Sequence, residues 1–161
     1  MPPSISAPPG RVYTVALELV IGFAAGFLAV LVFHQLTIAA MAGMGLLQSA
    51  GIYRVDPYGP LGVPRVVNTA FWGGAWGVVL AGVRLALPLP RAVLAFLVCG
   101  FLFGIVGPTL FGWFVLAPLR GQPMAQGFKL AAMWRGPVIN GMWGLGAAFF
   151  LLLFDRLRHR A

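Results

Sequence analysis

The chain has 161 residues, of which 60% are hydrophobic and only 9% are charged, and its formal net charge is +8. Soluble domains carry about 25% charged residues, so this chain has too few polar side chains to cover a water-facing surface. The composition excludes a soluble enzyme, a disordered chain and a nucleic-acid-binding module. It predicts an integral membrane protein that has membrane lipids, and no nucleic acid, among its partners.

Four apolar stretches are long enough to cross a bilayer as helices, which takes about 20 residues each. They cover approximately residues 13–34, 66–87, 93–116 and 137–154. Residues 1–12 are predicted to be a disordered N-terminal segment and residues 155–161 a basic C-terminal tail. The predicted fold is therefore all-α, a polytopic membrane protein with four transmembrane helices in one domain, 13–154.

The apolar segment 37–50 leaves three alternatives open. Gly43 and Gly45 lower its helix propensity, so it extends the first helix, lies in the membrane interface or re-enters the bilayer. The apolar stretch before it is far longer than the roughly 7–15 apolar residues of a signal peptide, so we expect a retained span.

The connections between the spans constrain the topology. Pro88-Leu89-Pro90 is a very short link, which predicts that the second and third spans are antiparallel neighbours. The two long connections, 48–65 and 117–136, then lie on the same side of the membrane. Of the Lys and Arg residues, six fall on the side of the termini and five on the side of the long loops. The basic cluster at the C-terminal helix end favours a cytoplasmic location for both termini.

Each predicted span carries small residues at four-residue spacing, which let helix backbones approach closely in lipid. The glycines concerned are Gly22, Gly26, Gly73, Gly77, Gly100, Gly104 and Gly144. The segment Gly22–Gly26 resembles Gly100–Gly104, and Gly74–Gly77 resembles Gly141–Gly144. These matches indicate either two copies of one helical hairpin or a chance similarity between glycine-rich helices, and the sequence leaves both open.

Polar and aromatic residues gather toward the ends of the spans that face the long loops. All five tryptophans, both asparagines and the one histidine inside a span fall there. Either they form an interfacial aromatic belt with ordinary packing, or they form a site for a ligand, a lipid or a partner. The candidate residues are His34, Asn68, Trp72, Trp76, Trp113, Arg120, Arg135, Asn140 and Trp143.

Two ionisable side chains inside the first span have both a structural and a functional interpretation. For His34 we expect the role of an interfacial histidine that reaches water or lipid headgroups, since it is predicted near a helix end. Glu18 lies about 24 Å from His34 along a helix. It is expected to form an interhelical hydrogen bond or to pair with Arg11 or Arg84, and its alternative role is proton or cation handling.

The sequence contains no motif of a known catalytic mechanism. There is no paired carboxylate, no HExxH, no CxxC and no glycine-rich phosphate loop. One histidine in the bilayer cannot build a three-ligand metal site within one chain. We therefore expect no enzymatic activity, no metal and no cofactor.

Three segments carry a resemblance to a known group of proteins. Ala70–Gly77, Pro118–Pro123 and Asn140–Gly144 together resemble small four-helix membrane proteins of Gram-negative bacteria for which no activity is known. The resemblance covers most of residues 15–154. It implies a bacterial inner-membrane location and no particular activity.

Two classes of function follow as hypotheses. The favoured one is a non-catalytic accessory, assembly or stabilising subunit of a larger membrane complex, since small residues line the helix faces and intramembrane charge is sparse. The alternative is a small transporter or channel, acting as a homo-oligomer, and a lipid-modifying membrane enzyme comes third.

Overall fold

A computed structural model of the protein describes residues 9–48, 51–89 and 92–160, with side chains from Thr14 onward. Its helices are α1 (Pro9–Ala29), α2 (Gln35–Gly43), α3 (Arg65–Ala86), α4 (Val93–Phe111), α5 (Ala117–Leu119), α6 (Leu130–Met133) and α7 (Arg135–Arg158). Two π-helical segments, Val30–His34 and Gly112–Leu116, continue α1 into α2 and α4 into α5.

Four helical segments are long and apolar enough to cross a membrane, which confirms the predicted all-α four-span fold. They are span one (Thr14–Gly43), span two (Arg65–Ala86), span three (Val93–Leu119) and span four (Leu130–Arg158). The loop between spans one and two contains a small antiparallel sheet in which β1 (Pro57–Tyr58) pairs with β2 (Val63–Pro64).

Several boundaries differ from those expected. Helix α2 continues span one to Gly43, so the segment 37–50 extends the first helix as far as that residue, while residues 49 and 50 lie outside the described parts. At the other end α1 already begins at Pro9, so residues 9–12 are helical and residues 1–8 lie outside the description. Helix α7 reaches Arg158, which makes most of the predicted basic tail helical.

Glycine contacts hold span one against span two. A Cβ atom added at Gly22 would lie 2.6 Å from the Gly77 carbonyl oxygen and 2.6 Å from the Ala81 Cβ atom. The ring of Phe23 lies against Gly74. The two backbones are therefore in direct contact, and any larger side chain at Gly22 would separate them.

Span three packs against span four by the same set of contacts. A Cβ atom at Gly100 would lie 2.6 Å from the Gly144 carbonyl oxygen and 2.5 Å from the Ala148 Cβ atom, and the ring of Phe101 lies against Gly141. The contacts described for Gly22 and Phe23 recur when residue numbers are raised by 78 in the first helix of the hairpin and by 67 in the second, as from Gly22 to Gly100 and from Gly77 to Gly144. This agreement favours a duplicated hairpin over a chance similarity.

The two hairpins join through spans one and four. The ring of Phe33 in span one lies against Gly146, and Ala25, Ala29, Ala147 and Leu151 are fully buried. Spans two and three, although joined by the short link, touch at fewer places.

These contacts between spans two and three involve two side chains of span two. The Trp76 ring meets Phe103 and Phe111 at centroid distances of 6.0 and 5.7 Å, and the Arg84 guanidinium lies 5.2 Å from the Phe96 ring centre. A lateral cleft is left between spans two and three.

Ion pairs mark both ends of the bundle. Asp56 pairs with Arg54 at 2.8 Å and with Arg65 at 3.1 Å, where span two begins. Arg84 pairs with Asp155 near the opposite end. The 19 residue steps from Arg65 to Arg84 correspond to about 28 Å of helix, close to the roughly 30 Å of a bilayer's hydrocarbon core. The hydrocarbon region therefore fits between the two clusters.

The glycine contacts predict a strong difference between two substitutions in span two. Gly77→Ala places a methyl group against the Gly22 carbonyl and should destabilise the protein by about 1–3 kcal/mol through overpacking. Gly82→Ala is the matched control because a Cβ there meets nothing within 4 Å, and its higher helix propensity should leave stability unchanged or slightly raised. Thermal unfolding in detergent measures both, and equal unfolding temperatures would contradict this packing.

Candidate functional site

The π-helical segment Val30–His34 is held in place by the first long loop. The amide of Gln35 donates to the carbonyls of Val30 and Val32, which releases the Leu31 carbonyl from its α-helical partner. The Tyr53 hydroxyl donates to that Leu31 carbonyl at 2.6 Å. The Tyr53 amide in turn donates to the Gln35 side-chain oxygen at 3.0 Å. His34 therefore lies inside a continuous span, whereas the sequence analysis expected it near a helix end.

A second released carbonyl lies in span three. Pro108 has no N–H, so the Gly104 carbonyl lacks its helical donor. The Thr109 hydroxyl donates to that carbonyl at 3.2 Å, and the Asn140 side-chain amide donates to the Thr109 hydroxyl oxygen at 3.0 Å. Asn140 thereby ties span four to span three.

Trp143 ties span four to span one in a similar way. Its indole N–H donates to the Gly26 carbonyl at 2.9 Å, and the side chain is only 3% exposed. Gly26 and Gly104 are equivalent positions of the two hairpins. In each hairpin, then, the carbonyl of this equivalent glycine accepts a hydrogen bond from a side chain.

A cavity of about 150 Å³, here called the His34 cavity, lies beside these bonds. Its wall includes His34, Thr69, Trp72, Trp76, Asn140 and Trp143. The His34 Nδ1 atom is buried and has no hydrogen-bond partner within the described parts of the chain. The wall thus combines aromatic rings with a hydrogen-bonding group that is left without a partner.

Two further cavities share walls with the His34 cavity. An apolar groove of about 170 Å³, here called the Trp groove, is lined by Trp72, Ala75, Trp76, Val79 and Phe111. Because Trp72 and Trp76 line both, the Trp groove and the His34 cavity are neighbours. On the loop side, the loop cavity of about 170 Å³ is lined among others by Thr109, Trp113, Arg120, Gln122, Gln126 and Asn140.

The structure divides the nine candidate residues among these places. Five of them line the His34 cavity: His34, Trp72, Trp76, Asn140 and Trp143. Trp113 and Arg120 line the loop cavity, which Asn140 also reaches. Asn68 and Arg135 line none of the three cavities. The site residues predicted from the sequence did not include Tyr53, Gln35 or Thr109. A glutamine within an apolar run does indicate, however, that its side chain needs a buried hydrogen-bond partner.

The loops above the site carry the polar and strained backbone positions. Desolvation raises the pKa of Asp56, but hydrogen bonds from Arg65 and Arg54 outweigh it and hold the pKa of this carboxyl below its usual value.

In the second long loop Ala125 and Gln126 adopt left-handed conformations with φ of 46° and 57°, which cost non-glycine residues free energy. Ala125 is nevertheless fully buried.

Glu18 belongs to a separate network at the other end of the bundle. It pairs with Arg158 at 2.8 Å, and Arg158 also contacts Asp155 at 2.7 Å. The sequence predicted an interhelical hydrogen bond or a pairing with Arg11 or Arg84. The contact with Arg158 of span four is interhelical, and the Arg11 side chain lies outside the described parts of the chain. The Arg84 guanidinium instead pairs with Asp155, and Arg158 was missed because span four was predicted to end at residue 154. The role of Glu18 in ion handling stays a prediction.

The chemistry that the site offers is that of uncharged hydrogen bonding. The described walls of the His34 cavity contain an imidazole, an amide and an indole, together with a Thr69 hydroxyl that donates to the Arg65 carbonyl at 2.9 Å. Within the described parts of the chain, no three His, Cys, Asp or Glu side chains come together in a way that could hold a metal ion.

The buried indole bond predicts a stability difference between two tryptophans. Trp143→Phe removes the donor to the Gly26 carbonyl and should lower the free energy of unfolding by about 1 kcal/mol or more. Trp134→Phe is the matched control, because its indole makes an exposed, local bond to the Ala131 carbonyl at 3.1 Å. Chemical unfolding in detergent measures both, and an equal loss in the two variants would show that the bond from Trp143 to the Gly26 carbonyl does not stabilise the bundle.

The network around Glu18 predicts coupling between two substitutions. Glu18→Gln and Arg158→Gln should each lower stability, and the double variant should lose less than the two losses combined, with a coupling of about 0.5–3 kcal/mol. Arg156→Gln, on the exposed side of the same helix, serves as the control. Additive losses of Glu18→Gln and Arg158→Gln would show that the pair contributes nothing to stability.

Comparisons with known proteins assign no family to the chain. No protein-family model, no curated protein and no solved structure matches it. The resemblance carried by Ala70–Gly77, Pro118–Pro123 and Asn140–Gly144 therefore stays a prediction.

Proposed function

We propose that the protein is a non-catalytic accessory or stabilising subunit of a larger membrane complex. The proposed location is a bacterial inner membrane with both termini in the cytoplasm, as the basic C-terminal helix end favours. Its partners would be other membrane subunits, which contact the lipid-facing surfaces of the spans, and membrane lipids.

The observation that supports this proposal is the use made of polar groups inside the bundle. Trp143 and Asn140 use hydrogen bonds to connect one helix to another. Glu18 lies in an ion pair at the end of the bundle opposite the long loops. Between the two ends, spans one and two meet through glycine, alanine and phenylalanine. These interactions stabilise one fixed arrangement of helices, which suits a structural subunit.

The transporter alternative has less support from the same geometry. Transport sites commonly lie near the bilayer midplane and are built from polar groups and interrupted helices. Here His34 and Glu18 are about 24 Å apart along span one, and the side chains buried between them, Ala25, Ala29 and Val30, are apolar. Between these two groups span one therefore offers no buried polar side chain.

The lipid-modifying enzyme is also less well supported. A nucleophile needs an adjacent base that accepts its proton. In the described wall of the His34 cavity the hydroxyl belongs to Thr69, and its proton is donated to the Arg65 carbonyl. The geometry thus commits this hydroxyl to the helix backbone.

Native mass spectrometry tests the proposed function. The chain, tagged and expressed at its natural level, is extracted in mild detergent, and the mass of the intact particle is measured. We expect a particle that contains larger subunits beside the 17.1 kDa chain.

A tagged chain carrying Gly77→Ala provides the control for integrity, since it should disturb the bundle and reduce the yield of the complex. A monomer, or a homo-oligomer at a multiple of 17.1 kDa, would overturn the accessory role. The homo-oligomer would turn attention to the channel alternative.

A further inference from the structure

We propose that the His34 cavity and the Trp groove together bind the ring head and the first part of the tail of an isoprenoid quinone. The inference goes beyond the accessory role, because it assigns a ligand to the lateral cleft between spans two and three. It concerns binding only.

The described lining of the site carries no acidic or basic side chain other than His34. The His34 cavity has no Lys, Arg, Asp or Glu side chain among its lining residues, so nothing there would compensate the phosphate of a phospholipid headgroup. The His34 Nδ1 atom is buried without a partner in the described parts of the chain, and leaving such a group unsatisfied is costly. An uncharged ligand with carbonyl oxygens can accept a hydrogen bond from this imidazole in the tautomer that carries the proton on Nδ1.

A second donor is available beside it. The Asn140 side-chain amide uses one N–H to bond Thr109, and an amide carries two. Asn140 and His34 line the same cavity. A head that presents acceptors at more than one position, as a quinone ring does, matches this pair.

The site also lies at a depth in the bilayer that suits an uncharged ligand. Thr69, Trp72 and Trp76 lie four, seven and eleven residues into span two from Arg65, which is about 6, 10 and 16 Å of helix. Arg65 is in the ion cluster that marks the membrane boundary. The His34 cavity is therefore inside the hydrocarbon, where an uncharged ring head is stable and a phosphate headgroup is not.

The size and the aromatic walls of the His34 cavity suit a single ring. A protein cavity of about 150 Å³ takes one benzene ring, and the His34 cavity has a volume of about 150 Å³. The rings of Trp72, Trp76 and Trp143 form part of its wall, and aromatic rings favour stacked or edge-to-face contacts with another ring.

The Trp groove offers a ligand in the His34 cavity an exit to the lipid. The Trp groove is lined entirely by apolar and aromatic residues, and Trp72, which it shares with the His34 cavity, is 55% exposed at the outer surface of the helix. An isoprenoid tail attached to a ring in the cavity would leave through this groove into the bilayer.

Quenching of tryptophan fluorescence tests this proposal on the full-length protein in phosphatidylcholine nanodiscs. The probe is decylubiquinone, and three of the five tryptophans line the proposed site. We expect saturable quenching, in contrast to the linear quenching produced by a quinone that is merely dissolved in lipid.

The same titration is repeated on two variants and a matched control. His34→Leu should raise the dissociation constant by about three- to tenfold, the value of one hydrogen bond. Trp72→Leu should also weaken binding, and it provides the test if the His34 variant fails to fold, because Trp72 is on the outer surface. Trp134→Phe removes a tryptophan outside the three cavities and should leave the dissociation constant unchanged.

Three outcomes would overturn the proposal. The first is linear quenching in the unmodified protein, and the second is unchanged binding in both His34→Leu and Trp72→Leu. The third is equal competition by decanol or by phosphatidylglycerol, which would assign the groove to acyl chains in general or to a phospholipid.

Discussion

Direct contact between helix backbones at glycine is the constraint on which the rest of the structure depends. In lipid no hydrophobic force drives helices together, so association relies on close van der Waals contact and on hydrogen bonds between helices. Gly22 against Gly77 provides this contact in one hairpin, and Gly100 against Gly144 provides it in the other. Once these backbones touch, the positions of the side chains one turn away are fixed as well.

The close approach also explains why buried carbonyls can act as anchors. Gly73 leaves room for the Trp143 indole, since a Cβ atom there would lie 3.1 Å from its Nε1 atom, and the indole reaches the Gly26 carbonyl of a neighbouring span. At the equivalent glycine of the other hairpin, Pro108 removes the helical donor, and Thr109 together with Asn140 replaces it. An unsatisfied backbone group in hydrocarbon costs several kcal/mol. These bonds therefore favour the one register of the helices in which they can form.

Much of this fold could be predicted from the sequence, because the bilayer restricts the choices. Apolar length alone defined four spans, and four-residue glycine spacing indicated the faces that meet. The repeated order of glycines suggested the duplicated hairpin that the contacts now favour. These features depend on local composition and periodicity, which a sequence displays directly.

The partners of individual polar groups could not be predicted in the same way. An interhelical contact of Glu18 was among the expectations, but Arg158 was not named as its partner, because a helix end shifted by four residues moves a charge from the tail into the bundle. Tyr53 bonds Leu31 across a loop, and only the π-helical segment makes that carbonyl available. Such pairings depend on register and on irregular backbone, and neither leaves a periodic signal.

The lateral cleft follows from how two similar hairpins are joined. Spans one and four pack against each other. The short link keeps spans two and three near one another, but these two spans do not share a glycine face. Trp76 and Phe103 bridge the gap with rings where backbones do not meet. A cleft with aromatic walls and the unpartnered His34 nitrogen then remains at membrane depth. In this protein the packing that stabilises each hairpin also leaves a place between them that a ligand from the bilayer can enter.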